Sequence, residues 1–211
     1  MNGPGLIARL HEAARLGRAL HPLDAPPAGQ GWNRRELADL VPPLARQDDA
    51  AVLVGLVPRP QATQVILTRR TDTLRHHGGQ VAFPGGRVDP QDENAIAAAI
   101  RETGEEIGVF ADQITPLGLL DPLLTITGFR VLPVVAVIDP AHEIHPDPRE
   151  VAEVFEVPLD YLLDPANLLE LQVDYRGRLR PIHEYRYPAQ RIWGATASIL
   201  LNLRQRLESV K

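Results

Sequence analysis

Apolar residues recur along this chain with two different periods, and the alternation between them divides it into elements. Over residues 5–20, Leu6, Ile7, Leu10, Ala13, Ala14 and Leu16 fall at helical spacing with Arg9, Arg15 and Arg18 between them, which predicts a short docking helix. Residues 21–45 are proline-rich and predict an extended connector. Ala51–Val57 and Thr63–Thr68 read as strands around Pro58-Arg59-Pro60. The run Gln80-Val81-Ala82 reads as a further strand, ending in the tight turn Phe83-Pro84-Gly85-Gly86.

The period then becomes helical. An α-helix turns about 100° per residue, so Ile96, Ile100, Thr103 and Ile107 share a core-facing stripe with Ala99 near its edge. Asp92 suits the N-cap, Glu93 the first turn, and Gly108 the position that ends the helix. Gly104 lies inside it, where glycine costs about 1 kcal/mol relative to alanine. Strands are predicted near 114–120 and 130–138, then a turn-rich loop from Asp139 to Pro148 and a short helix over Pro158–Leu163. Leu168–Tyr175 and Leu179–Tyr187 form a predicted hairpin around Arg176-Gly177-Arg178, and Ala195–Leu207 a closing helix. Strands first, one helix midway and another at the end predict an α/β protein with a mixed β-sheet between helices.

Composition narrows the class. A chain of 211 residues, 44% of them hydrophobic, suits one globular domain with an added terminal segment, divided here as 1–45 and 46–211. A formal net charge of −5 argues against sequence-independent nucleic-acid binding, which depends on neutralising phosphates. The absence of cysteine excludes disulfides and thiolate zinc sites. With no membrane-length apolar run and no apolar signal-peptide core, the expectation is a soluble cytoplasmic protein without nucleic-acid or membrane partners. Homodimerisation stays open.

The chemistry concentrates on the central helix. Glu102, Glu105 and Glu106 stand at i, i+3 and i+4, roughly opposite the apolar stripe, where side chains are neighbours. Carboxylates so placed repel and raise one another's pKa values, and a hard divalent cation such as Mg2+ or Mn2+ resolves the conflict with oxygen ligands. A solvated acidic face is the alternative for the trio alone; the preceding glycine turn, where backbone can approach a metal or phosphate closely, favours the metal. Upstream, Arg69, Arg70 and Arg75 with His76 and His77 form a cationic cluster, and arginine matches phosphate oxygens bidentately.

Arg101-Glu102-Thr103-Gly104-Glu105-Glu106-Ile107-Gly108-Val109 resembles the second half of the Nudix box, with Glu93 separated from Arg101 by the seven residues of that motif. Two positions depart from it: six residues, not five, lie between Gly86 and Glu93, and Thr103 stands where an aliphatic residue is usual. Leu67-Thr68-Arg69-Arg70-Thr71, Leu74-Arg75 and Gly79–Gly86 are similar to the signature ahead of the box in Nudix enzymes that act on coenzyme A, with Thr71 in place of a serine. Ile192-Trp193-Gly194-Ala195-Thr196-Ala197 is similar to the end of that branch, so the resemblance covers residues 50–205.

The resemblance implies a Nudix fold, an α/β/α sandwich, and metal-dependent hydrolysis of coenzyme A or an acyl derivative. It implies metal ligation by Glu102, Glu105 and Glu106, and catalytic roles for Glu105, Glu106 and Arg101. Proton abstraction is assigned either to a box glutamate or to Glu150, on the later loop. Arg70, Arg75, Gly85 and Gly86 are the expected substrate-binding residues, and Trp193 is read as core or pocket wall. The alternatives are another nucleoside diphosphate substrate, such as ADP-ribose or a dinucleotide, and a non-catalytic ligand-binding module.

Overall fold

The computed structural model describes residues 14–41, 48–74 and 77–210. Both faces of strand β1 (Asp48–Pro58) are buried, Ala51, Leu53 and Val57 on one side and Ala50, Val54 and Leu56 on the other. A strand apolar on both faces belongs in the middle of a covered sheet. It pairs antiparallel with β2 (Thr63–Arg70) and in parallel with β7 (Phe129–Ile138), with Val52 opposite Pro133. The eight-stranded sheet has the order β3-β2-β1-β7-β5, where β3 is Val81–Ala82 and β5 is Ile114–Leu119. Three more strands join it: β4 (Gly85–Arg87) on β1, β6 (Leu123–Leu124) on β7 and β8 (Val151–Pro158) on β2.

Helices cover the two faces. Helix α2 (Ala95–Ile107) buries Ala98, Ala99 and Ile107 against Ala51, Leu53, Leu132 and Val134. On the other face lie the described part of the N-terminal helix α1 (14–19), α3 (Leu159–Leu163) and α4 (Ala195–Ser209), contributing Leu16, Leu162, Leu200 and Leu203. The result is the expected α/β architecture with a mixed sheet between helices.

The hairpin forms as expected from β9 (Leu168–Tyr175) and β10 (Arg178–Tyr187), and its turn residues Arg176 and Gly177 both have positive φ, the geometry that matches strand twist. Beyond the expectation, β11 (Gln190–Trp193) pairs with β10 and completes a separate three-stranded sheet. Strand β8 was also not expected. Its exposed Glu153 and part-buried Glu156 break the apolar pattern because it borders the sheet, where one flank meets solvent.

Residues 21–41 correct one expectation: they run through turns packed on the domain, not as an extended connector. Leu37 and Val41 pack on Leu124, and Asn33 clamps the Leu124 backbone, donating to its carbonyl (2.8 Å) and accepting from its amide (2.9 Å). Arg130 donates to the carbonyls of Pro27 and Gly29, which ties the proline segment to the domain. Residues 1–13 and 42–47, including most of the expected docking helix, lie outside the described residues.

Candidate active site

The site begins at the turn between β3 and α2. Gly85 has φ +152°, and a Cβ there would stand 2.3 Å from the Ala51 carbonyl oxygen and 2.6 Å from the Val52 Cα. Only glycine lets the chain lie this close to the central strand. At Gly86 a Cβ would come within 2.4 Å of the Glu102 carboxyl carbon, so the missing side chain is the space Glu102 fills. The two glycines thus bring the turn against the glutamate face of α2. Gly104 has a packing reason: a Cβ there would stand 2.9 Å from the Phe110 ring.

The helix start differs from the expectation. Asn94, not Asp92, is the N-cap, accepting from the amides of Ile96 (2.9 Å) and Ala97 (3.0 Å), and Glu93 precedes the first turn. Asp92 is already engaged: it accepts from Arg101 Nε and Nη2, each at 2.9 Å, and from the Asp89 amide at 2.8 Å. The Arg101 hydrogen bonds hold its carboxyl below the usual range despite burial. Counting from Gly86, Asp92 follows after the five residues that the motif leaves before its first glutamate. That spacing was the available signal for Asp92. Gly108 ends the helix in the left-handed conformation, as expected, its amide bonding the Gly104 carbonyl.

Arg101 ties the acidic groups together. Beyond Asp92 it donates to Glu102 (2.9 Å), to both Glu105 oxygens (3.3 Å) and to the Arg87 carbonyl (3.2 Å). Asp92→Asn should therefore loosen Arg101 and lower kcat/KM by about tenfold or more, as charge-assisted hydrogen bonds contribute roughly 1.5–3 kcal/mol. Exposed Glu93→Gln should stay within about twofold. Steady-state kinetics of the two variants measure the reassignment, and equal effects would undo it.

Of the three box glutamates, two face the turn. The Glu106 side chain is 4% exposed, accepts from the Gly85 amide (3.3 Å) and pairs with Arg70 Nη1 (3.2 Å). Burial pushes its pKa up to about 7, against the pull of Arg70 and the Gly85 amide, and the charges of Glu150 and Glu102 push the same way. Glu102 is also raised, first by burial, although Arg101 opposes the shift. Glu105 instead turns outward, 62% exposed, and pairs with Arg101. At about 100° per residue, position 105 lies well round the helix from 106, and Arg101 one turn earlier draws it aside.

Glu150 is brought to this group by backbone contacts. The amides of His145 and Asp147 donate to the Ile107 and Glu106 carbonyls (both 2.9 Å), docking the loop on helix-end carbonyls that lack helical partners. The Thr71 amide bonds the Glu150 carbonyl (2.9 Å) and its hydroxyl the Arg149 carbonyl (3.2 Å). Glu150 then stands 3.6 Å from Arg70 Nη2, half exposed.

Among the described residues, no three His, Asp or Glu side chains are gathered closely enough to cage a metal ion as they stand. Arginines occupy the carboxylates instead. The donor set still suits a hard divalent cation: oxygen ligands only, and a buried carboxylate whose ionisation burial opposes. Arg70, expected on substrate phosphate, bridges Glu106 and Glu150 here. Arg75 and His76 lie outside the described residues, and His77 is exposed. Arg69 pairs with Asp72 and Glu153. Trp193 is partly buried under the Arg191 guanidinium, 4.8 Å from its ring centre.

A family model described as "NUDIX domain" matches residues 49–179. The chain is similar to an uncharacterized Nudix hydrolase NudL of Photorhabdus laumondii, 42% identical over 180 residues, spanning 83% of this chain and 95% of that protein. A protein of the same name from Cronobacter sakazakii is 43% identical over 157 residues, covering 74% of this chain and 81% of its own. The crystal structure of a MutT/nudix family protein from Enterococcus faecalis superposes with TM-score 0.50 at 19% identity, covering 80% of this chain and 65% of that one, a likeness of fold.

Proposed function

The chain belongs to the Nudix hydrolase family, whose members act on phosphorus-containing anhydrides, and from that premise we propose that its substrate is coenzyme A or an acyl-CoA. Water adds across the diphosphate to give 4′-phosphopantetheine, or its acyl form, and adenosine 3′,5′-bisphosphate. The observation that carries this reading is the meeting of two sequence segments far apart in the chain. The buried Thr196 hydroxyl donates to the Val81 carbonyl at 2.9 Å, which joins the 192–197 stretch to the strand feeding the glycine turn. Both segments carry the coenzyme A-type signature, and their contact supports a shared role in recognising substrate.

Glu102 and Glu106, which face the turn, are the residues that would hold Mg2+ or Mn2+, with Glu105 joining them on turning inward; the ion would neutralise diphosphate charge and acidify a bound water. Gly85 and Gly86 leave their backbone open to close approach by a phosphate, and Arg70 and Arg75 supply cationic contacts to its oxygens. Arg101 fixes the Glu102 and Glu105 carboxylates. Glu150 is the general base: it is half exposed at the edge of the site and can take a proton from an incoming water, whereas Glu106 is enclosed. The hydroxide formed attacks one phosphorus in line, and the other phosphate leaves.

The test is a panel of coenzyme A, acetyl-CoA, ADP-ribose, NADH and nucleoside triphosphates incubated with Mg2+ or Mn2+, with products identified by mass. Fastest cleavage is expected for coenzyme A or its acyl form. Preferential hydrolysis of ADP-ribose or NADH would move the substrate to another nucleoside diphosphate derivative, and no hydrolysis of any would favour a binding module.

A further inference from the structure

One guanidinium lies between two carboxylates to which the reaction assigns different tasks. Arg70 Nη1 is 3.2 Å from Glu106, and Nη2 is 3.6 Å from Glu150. Glu106 comes from α2, Glu150 from the loop docked on the end of that helix, and Arg70 from the end of β2. Three separate elements are therefore joined through one side chain. The register of β2 with β8 shifts between Arg69 and Arg70, a bulge that changes where the Arg70 side chain emerges from the sheet edge.

From this arrangement we propose that Arg70 is a positioning residue that stands in for the divalent cation: it holds Glu106 and Glu150 together in the metal-free protein and gives up Glu106 when the metal binds. The inference rests on the metal-site reading above. Its physical basis is that two carboxylates near one another, one of them buried, need a cation to remain ionised side by side. Arg70 supplies a single positive charge through a fork that reaches both. A divalent ion held by the α2 glutamates supplies more charge at Glu106, so ion and guanidinium compete for that carboxylate. Once displaced, the guanidinium has lost its buried partner at the mouth of the site, where an anionic phosphate can receive it. One arginine thereby preserves the ligand geometry before the metal arrives and turns to substrate afterwards. Metal and diphosphate binding would reinforce each other through the same side chain.

Binding of Mn2+ alone, measured by electron paramagnetic resonance without substrate, tests the exchange. Arg70→Met should bind Mn2+ about tenfold or more tightly than wild type, and Arg70→Lys should fall between, because it keeps the charge but loses the fork. Arg69→Met, which removes a neighbouring charge paired with Asp72 and Glu153 rather than with the site carboxylates, should leave Mn2+ affinity within about twofold of wild type. Circular dichroism and melting temperature in EDTA establish that each variant is folded. Equal Mn2+ affinity in wild type and Arg70→Met would overturn the exchange. So would a gain of the same size in Arg69→Met, which would mean a diffuse field effect. Absence of Mn2+ binding in every folded variant would instead remove the metal-site reading, and the exchange with it.

Discussion

Replacing Glu106 with glutamine is expected to lower kcat by about a thousandfold or more while making the metal-free protein more stable at neutral and alkaline pH. The loss of turnover follows from removing a carboxylate assigned to a cation that supplies several kcal/mol of charge stabilisation in the transition state. The gain in stability follows from burial. Burial pushes the Glu106 carboxyl from an ordinary 4.5 up to about 7, so between these values the folded chain holds a proton that the unfolded chain has released. Stability therefore falls as pH rises through that window, by no more than about 3 kcal/mol, and stays lowered above it. Glutamine has no charge to bury and should flatten this part of the profile. Urea unfolding in EDTA from pH 4.5 to 8, beside steady-state kinetics with Mg2+, measures both effects. A variant that turns over like wild type would end the assignment of Glu106 to the metal site. An unchanged pH slope would show that the penalty lies elsewhere.

The second large effect is expected at the glycine turn. Gly85→Ala should destabilise the protein by more than about 4 kcal/mol, because the new Cβ meets the backbone of the central strand and neither partner can rotate away. Gly86→Ala makes a useful contrast. Its Cβ meets the end of the Glu102 side chain, which can swing aside, so the fold should survive while activity falls. Thermal melts of both variants, with activity for the second, separate a backbone requirement from a site requirement. A Gly85→Ala protein that melts like wild type would refute the close approach.

Much of this protein was legible from periodicity. The central helix, its Gly108 terminus, the hairpin around Arg176-Gly177 and the closing helix all lie close to where apolar spacing and turn residues put them. Strand β8 was not legible, because a border strand has no reason to keep an apolar alternation, and β4 and β6 are too short to carry a period. The N-cap was misread for a local reason. Asp92 and Asn94 are both capable caps, and the choice depended on Arg101, nine residues beyond Asp92, claiming the aspartate.

The catalytic class is a local property of the chain. Carboxylates at i, i+3 and i+4 after a glycine turn are written in consecutive residues, and helix geometry alone makes them neighbours. Which of them are buried, and what they face, is decided by contacts between distant segments. Glu106 is enclosed because Gly85 lies against β1, Glu150 arrives because residues 145 and 147 dock on the helix end, and Arg70 joins the two from β2. Ionisation of a carboxylate depends on the water and charge around it, and those surroundings exist only once the sheet has assembled.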